Sequence, residues 1–210
     1  LETNEFLELE FSIIASTTAI EGETYCFRVS DAGDDLGVYT VYAQATINAE
    51  ITVNSFGTQR TTVDIPTANS YMGGGFSIVA NDGPETVSSI TITETGTIDA
   101  TRGLDNIALY YDLDTTAPYD CASESYSGAE SQFGATDSDG FDGVDGQSGF
   151  AGTVAITTTQ TMCVYVVADI TGTAVNGDTI AIEIENANSD VVAAGASVSP
   201  SAPRAIPGST

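Results

Sequence analysis

At 210 residues the chain holds one large or two small domains, and its 41% apolar content comes without any long uncharged run, which excludes a membrane span of the helical kind. Thirty acidic residues face four arginines (Arg28, Arg60, Arg102, Arg204), with no lysine and no histidine, for a formal charge of −26 at pH 7. That field repels phosphate backbones and anionic headgroups, so nucleic-acid and membrane-surface roles are not expected, and without histidine there is no Ser-His-Asp or Cys-His unit and no zincin motif.

The first predicted element is LETNEFLELEFSII, in which Leu7, Leu9, Phe11 and Ile13 face one way and Glu8, Glu10 and Ser12 the other, the alternation of a half-buried strand. With no initiator methionine and no signal peptide, the segment reads as processed or trimmed. TYCFRVS is the next strand, then GVYTVYAQATINAEITV, long enough for one bent strand or two short ones. VDIPTANSYMGGG breaks the pattern with Pro66 and three consecutive glycines, which places a Gly-rich linker at 66–75 between a first domain, 1–65, and a second, 76–210.

Beyond it come FSIVA, TVSSITITETGTI, LDNIALYYDL, GTVAIT, TMCVYVVADI, DTIAIEIENA and DVVAAGASV, punctuated by turn signals such as NDG, TRG and NGD. Short strands at even spacing, with no sustained 3.6-residue period, give an all-β chain of two antiparallel β-sandwich domains. Tyr110 and Tyr111 adjoin, so one ring points inward and one outward; exposed aromatics of this kind stack on sugars. Between Tyr111 and Phe150 lies the one long irregular excursion, rich in Asp, Ser and Gly.

The three cysteines have no CxxC spacing. Cys163 sits in a run that reads as a buried strand and Cys121 comes after a turn-like APYD; a Cys121–Cys163 disulfide is expected, and with it export to an oxidising compartment, extracellular or at the cell surface. Cys26 is then left over, to pair upstream in a longer precursor, to bond another chain, or to remain a buried thiol.

The acidic excursion carries the one candidate ligand chemistry. ATDSDGFDGVDG sets Asp137, Asp139, Asp142 and Asp145 among turn-forming glycines, and DLDTTAPYD adds Asp112 and Asp114 near the cysteine; hard oxygens at this density are candidate calcium ligands. The EF-hand pattern is not met, because Phe141 stands at the fifth loop position and no Glu at the twelfth, and a solvated turn-rich loop is the plainer reading. Thirty carboxylates make some close pair inevitable, so no glycosidase signal can be drawn from them, and the glycine triplet lacks the Lys of a phosphate loop. The chain is expected not to be an enzyme.

YCFRVSDAGDDLGVYTVYAQATI resembles the last two strands of an immunoglobulin- or fibronectin-type repeat, and NIALYYDLDTTAPYDC, TMCVYVVADITG and DTIAIEIENANSDVV resemble the repeat domains of large secreted bacterial surface proteins. The resemblance implies Ig-like sandwiches and a structural module, the first of which starts in mid-module and is incomplete within residues 1–65. A half-sandwich leaves an apolar face and a sheet edge open to water. One solution is strand donation by a neighbouring subunit, repeated head to tail into a pilus-like homopolymer, with Leu7, Leu9, Phe11 and Ile13 as the interface. The C-terminal ASVSPSAPRAIPGST is the second candidate donor. With no lysine in the segment, covalent isopeptide routes are closed, so assembly is noncovalent or by disulfide. The alternative is a monomeric adhesion or glycan-binding module with a surface glycan or receptor as its partner.

Overall fold

The structure, a computed structural model, describes residues 24–30, 40–46, 50–143 and 146–210, with side chains from residue 50 onward. Two compact units divide between Asn48 and Ala49. In the first unit, β1 (Thr24–Ser30) and β2 (Thr40–Thr46) form an antiparallel hairpin in unbroken register, from Thr24 opposite Thr46 to Ser30 opposite Thr40, and make a sheet of their own. Residues 7–13 lie outside the described residues.

The second unit is all-β, two sheets around one core. The larger sheet uses β3 (Ile51–Phe56), β4 (Thr67–Tyr71), β5 (Gly75–Ala80), β7 (Leu104–Asp114), β8 (Ser131–Asp137), β10 (Thr161–Ile170) and β13 (Val198–Ser199), in the order β13-β3-β5-β10-β7-β8 with β4 also on β10. The smaller uses β6 (Glu85–Glu94), β9 (Gln147–Ile156), β11 (Ile182–Ile184), β12 (Val191–Ala193) and β14 (Arg204–Ala205). Two four-residue helices, α1 (Ala100–Gly103) and α2 (Ala187–Asp190), turn corners between strands. Pairing is antiparallel as the even strand spacing predicts, except that β13 runs parallel to β3.

Alternation sets the core. On β3, Ile51 and Val53 turn inward; on β5, Phe76 and Ile78; on β10, Met162, Val164 and Val166; these meet Ile90 and Ile92 of β6 and Val154 and Ile156 of β9. β10 is central and covered on both faces, so TMCVYVVADI is apolar almost throughout. The strands define two poles. At the lower pole lie Ile51, Glu85 and the start of β10; at the upper pole, the ends of β3, β6 and β10. Among the described residues no helix is long and apolar enough to cross a membrane.

The expected linker at 66–75 is interior to this unit. β3 pairs β5 across six positions, and β4 and β5 both lie along β10 as one interrupted strand, so 51–71 belong to the same unit as the strands C-terminal to them. The glycines serve close approach instead of flexibility. A Cβ on Gly73 would sit 2.5 Å from Arg60 N, on Gly74 2.4 Å from Ile206 Cγ2, and on Gly75 2.4 Å from Val164 O. The C-terminal segment considered as a donor is likewise used at home, since Val198–Ser199 pair with Ile51–Thr52 and Arg204–Ala205 with Ile184–Glu183. GVYTVYAQATINAEITV is two strands, β2 and β3, assigned to different units.

Candidate functional site

Two features of the second unit stand apart from its core: a stapled aromatic face and a groove at the upper pole. The aromatic face is the outer side of the larger sheet. Because Cys163 and Tyr165 alternate with core residues on β10, they point away from the main core, and residues 115–130 cross over them as a strap. The expected Cys121–Cys163 disulfide is formed, with Cα atoms 5.8 Å apart and both residues buried. Asp114, fully buried at the end of β7, accepts the backbone N–H of Thr116 at 2.8 Å and of Cys121 at 3.1 Å, holding the turn that delivers the cysteine. Tyr119 and Cys121 adopt left-handed backbone (φ 60° and 61°), and the Thr161 hydroxyl donates to Tyr119 O.

The disulfide sits beside a ring cluster. Tyr165 is packed edge-on by Phe56 and Tyr71, each 5.9 Å away between centroids, and Tyr126 of the strap lies 4.9 Å from Tyr71, 5.7 Å from Tyr110 and 5.8 Å from Tyr165. Tyr110 and Tyr111 fall on opposite faces: Tyr110 meets Tyr126, while Tyr111 packs on Phe133 against the main core. The Tyr71 hydroxyl donates to Gly74 O at 2.6 Å, and burial pushes its phenol up to about 12. Burial raises Tyr165 further, reinforced by Tyr71 and the carboxylates of Glu124, Asp112 and Glu130, and its hydroxyl has no hydrogen-bond partner among the described residues. Burial also raises Tyr126. At Glu130 burial is the largest single influence and pushes the carboxyl up, but hydrogen bonds from the Ser127 amide and hydroxyl and the Gly128 amide together outweigh it and hold the carboxyl below its usual value.

The structure divides the expected calcium ligands. Ile107 of β7 stands opposite Asp137 of β8, so Asp112 and Asp114 lie five and seven residues further along, roughly 17–23 Å away at a strand's rise of ~3.3 Å per residue. The described carboxylates are also spent locally. Asp137 accepts the Ser148 hydroxyl at 2.6 Å and the Asp139 amide at 3.2 Å, Asp142 accepts the Gln147 amide at 2.7 Å, and Asp112 accepts the Leu113 amide at 2.8 Å. Asp145 lies outside the described residues. Among the described residues no group of three or more Asp, Glu, Cys or His side chains is placed to hold a metal ion. The long excursion itself resolves into the strap, β8, and a turn-rich loop into β9.

Sequence reasoning missed the groove. At the upper pole, buried Gln59 ties the two sheets, donating to Ile180 O at 3.2 Å and accepting from Ile182 N at 3.0 Å. Beside it, the 61–65 segment and the 174–180 loop flank a cleft of about 300 Å³ with Ile98, Ile170 and Ile180 at its base. Val175 and Ile65, 63% and 41% exposed, are two of the three large apolar side chains that the second unit leaves open to solvent among its described residues. The signal was faint because TTVDIP and TAVNGD carry neither strand alternation nor a motif.

Comparison with family models, with curated proteins and with solved structures finds no match to this chain.

Proposed function

We propose that the chain is an extracellular structural subunit, built of Ig-like β-sandwich modules, that polymerises by β-strand donation into a surface filament. What supports this reading is the strand alternation of residues 7–13 in the sequence, beside the antiparallel hairpin of β1 and β2. Residues 7–13, alternating Leu7, Leu9, Phe11 and Ile13, are of the type a neighbour can donate. The second unit supplies the rigidity a filament needs: a two-sheet core and a strap locked by a disulfide, a bond that persists in oxidising compartments. A strongly negative surface keeps such a subunit from nonspecific association until a shaped contact forms.

The test is sedimentation velocity of the full chain over a wide concentration range beside a variant lacking residues 1–14. Strand donation is expected to give high-mass species that the deletion converts to monomer. A full chain that stays monomeric throughout overturns the reading.

A second reading, a monomeric adhesion or glycan-binding module, draws on one observation: Tyr71, Tyr110 and Tyr126 are half-exposed and share a patch with Asp112 and Glu130. Here Tyr110→Ala would abolish binding to a glycan array while leaving mass unchanged.

A further inference from the structure

Four of the chain's nine tyrosines, Tyr71, Tyr110, Tyr126 and Tyr165, meet on the outer face of the larger sheet, and the strap's Tyr126 touches the other three. Its nearest ring is Tyr71 of β4, with centroids 4.9 Å apart and planes inclined by 37°. At that spacing facing ring carbons stand at van der Waals contact, about 3.5–4 Å. Both rings are half-buried, and both lie outside the main core.

Composition decides which side chains a one-electron oxidant can use. There is no tryptophan, Met72 and Met162 are fully buried, and Cys121 and Cys163 are already joined. Apart from Cys26, the oxidisable side chains are therefore the tyrosines. Removing an electron from a phenol makes its O–H strongly acidic, so the proton needs a base at hand. Glu130 is that base. Hydrogen bonds from Ser127 and Gly128 hold its carboxyl ionised, and its charge reaches Tyr71, Tyr126 and Tyr165. Arg60 also reaches Tyr71, with the opposite sign. The bond from the Tyr71 hydroxyl to Gly74 O fixes that ring beside Tyr126.

We propose that Tyr71 and Tyr126 form a cross-linking site, joined ring to ring as dityrosine by a one-electron oxidant that draws on hydrogen peroxide. Each phenol gives up one electron and its hydroxyl proton, and the carbons ortho to the two oxygens form the new bond. The hydrogens on those carbons then move to the oxygens and both rings regain aromaticity, so the net loss is two hydrogen atoms. The peroxide takes them up as its O–O bond breaks, leaving two molecules of water. Rings already in contact couple in a unimolecular step, whereas tyrosines on separate chains must first meet. The product ties the strap to β4 at Tyr126, as the disulfide ties it to β10 at Cys121. It requires no second copy, so it is independent of the strand-donation reading.

The experiment uses the full chain with Cys26 alkylated, treated at high dilution with a haem peroxidase and hydrogen peroxide and then separated on a denaturing gel. Dityrosine fluorescence is expected in the band of monomer mass. Peptide mapping of that band is expected to join the Tyr71 peptide to the Tyr126 peptide, lighter than the two together by two hydrogen atoms. Tyr71→Phe and Tyr126→Phe keep a ring in each place, and each is expected to cut the monomer-band fluorescence about tenfold or more, while Tyr110→Phe leaves most of it. Glu130→Gln, at an unchanged melting temperature, is expected to slow coupling about tenfold or more; an unchanged rate would overturn the part given to that carboxylate. Fluorescence confined to dimers and larger species, a monomer link that survives Tyr71→Phe, or a mapped link between other tyrosines overturns the site, as does a wild-type chain that yields no dityrosine.

Discussion

Cutting the staple tests how the strap is held. Replacing Cys121 and Cys163 by alanine opens a loop spanning 42 positions, and the chain-entropy relation assigns the closed loop about 4 kcal/mol at 25 °C. For a unit of this size that corresponds to a fall in Tm of about 8–16 °C. The folded state adds a local effect. Without the bond, residues 115–130 are held by the Asp114 carboxylate, the Thr161 hydroxyl and the Tyr126 ring, and their release uncovers Tyr165. Scanning calorimetry reads the first effect and hydrogen exchange the second: amides of the strap are expected to exchange much faster, while those of β5 and β10 change only as far as global stability does. A Tm loss under about 3 °C, with strap protection unchanged, would refute the reasoning, because the bond would then constrain neither the unfolded chain nor the strap.

Other outcomes rest on the same geometry. Tyr165→Phe removes a buried hydroxyl that has no partner among the described residues and is expected to leave stability unchanged or raise it by about 1–2 kcal/mol in a denaturant melt; a clear loss would mean that the hydroxyl is satisfied. A fragment of residues 49–210 is expected to melt as one cooperative unit, whereas 76–210, which lacks β3 and β4, is expected not to fold, as judged by circular dichroism. Tyr71 and Tyr165 hold their protons more tightly folded than unfolded, so the stability they contribute is complete below about pH 10 and is lost as pH rises through their raised values. Tm measured from about pH 8 upward should therefore fall steeply above about pH 10, and less steeply in Tyr71→Phe.

Much of the second unit was legible in its residues. TMCVYVVADI announced a strand buried on both faces because β-branched, aromatic and apolar residues fill both alternating sets, and β6 and β7 showed through TVSSITITET and LDNIALYYDL in the same way. The cysteine pair could be inferred from one cysteine in a buried strand and one beyond a turn. The boundary could not. Three glycines mark either a flexible joint or a place where backbones touch, and only the neighbours Arg60, Ile206 and Val164 decide for contact. β13 and β14 are two residues each, too short for any period to register. The strap was opaque for another reason. Its packing is to a sheet face through Cys121 and Tyr126 alone among aperiodic residues, so its order comes from tertiary contacts that no local pattern encodes. The same holds for the groove, assembled from four stretches far apart in sequence.

The proposal that this chain polymerises through residues 7–13 is tested most directly by negative-stain imaging of purified full chain beside its Leu9→Asp, Phe11→Asp variant. Extended filaments of uniform width from the wild type, and dispersed single particles from the variant, are expected; dispersed particles from both, at any concentration, would contradict it.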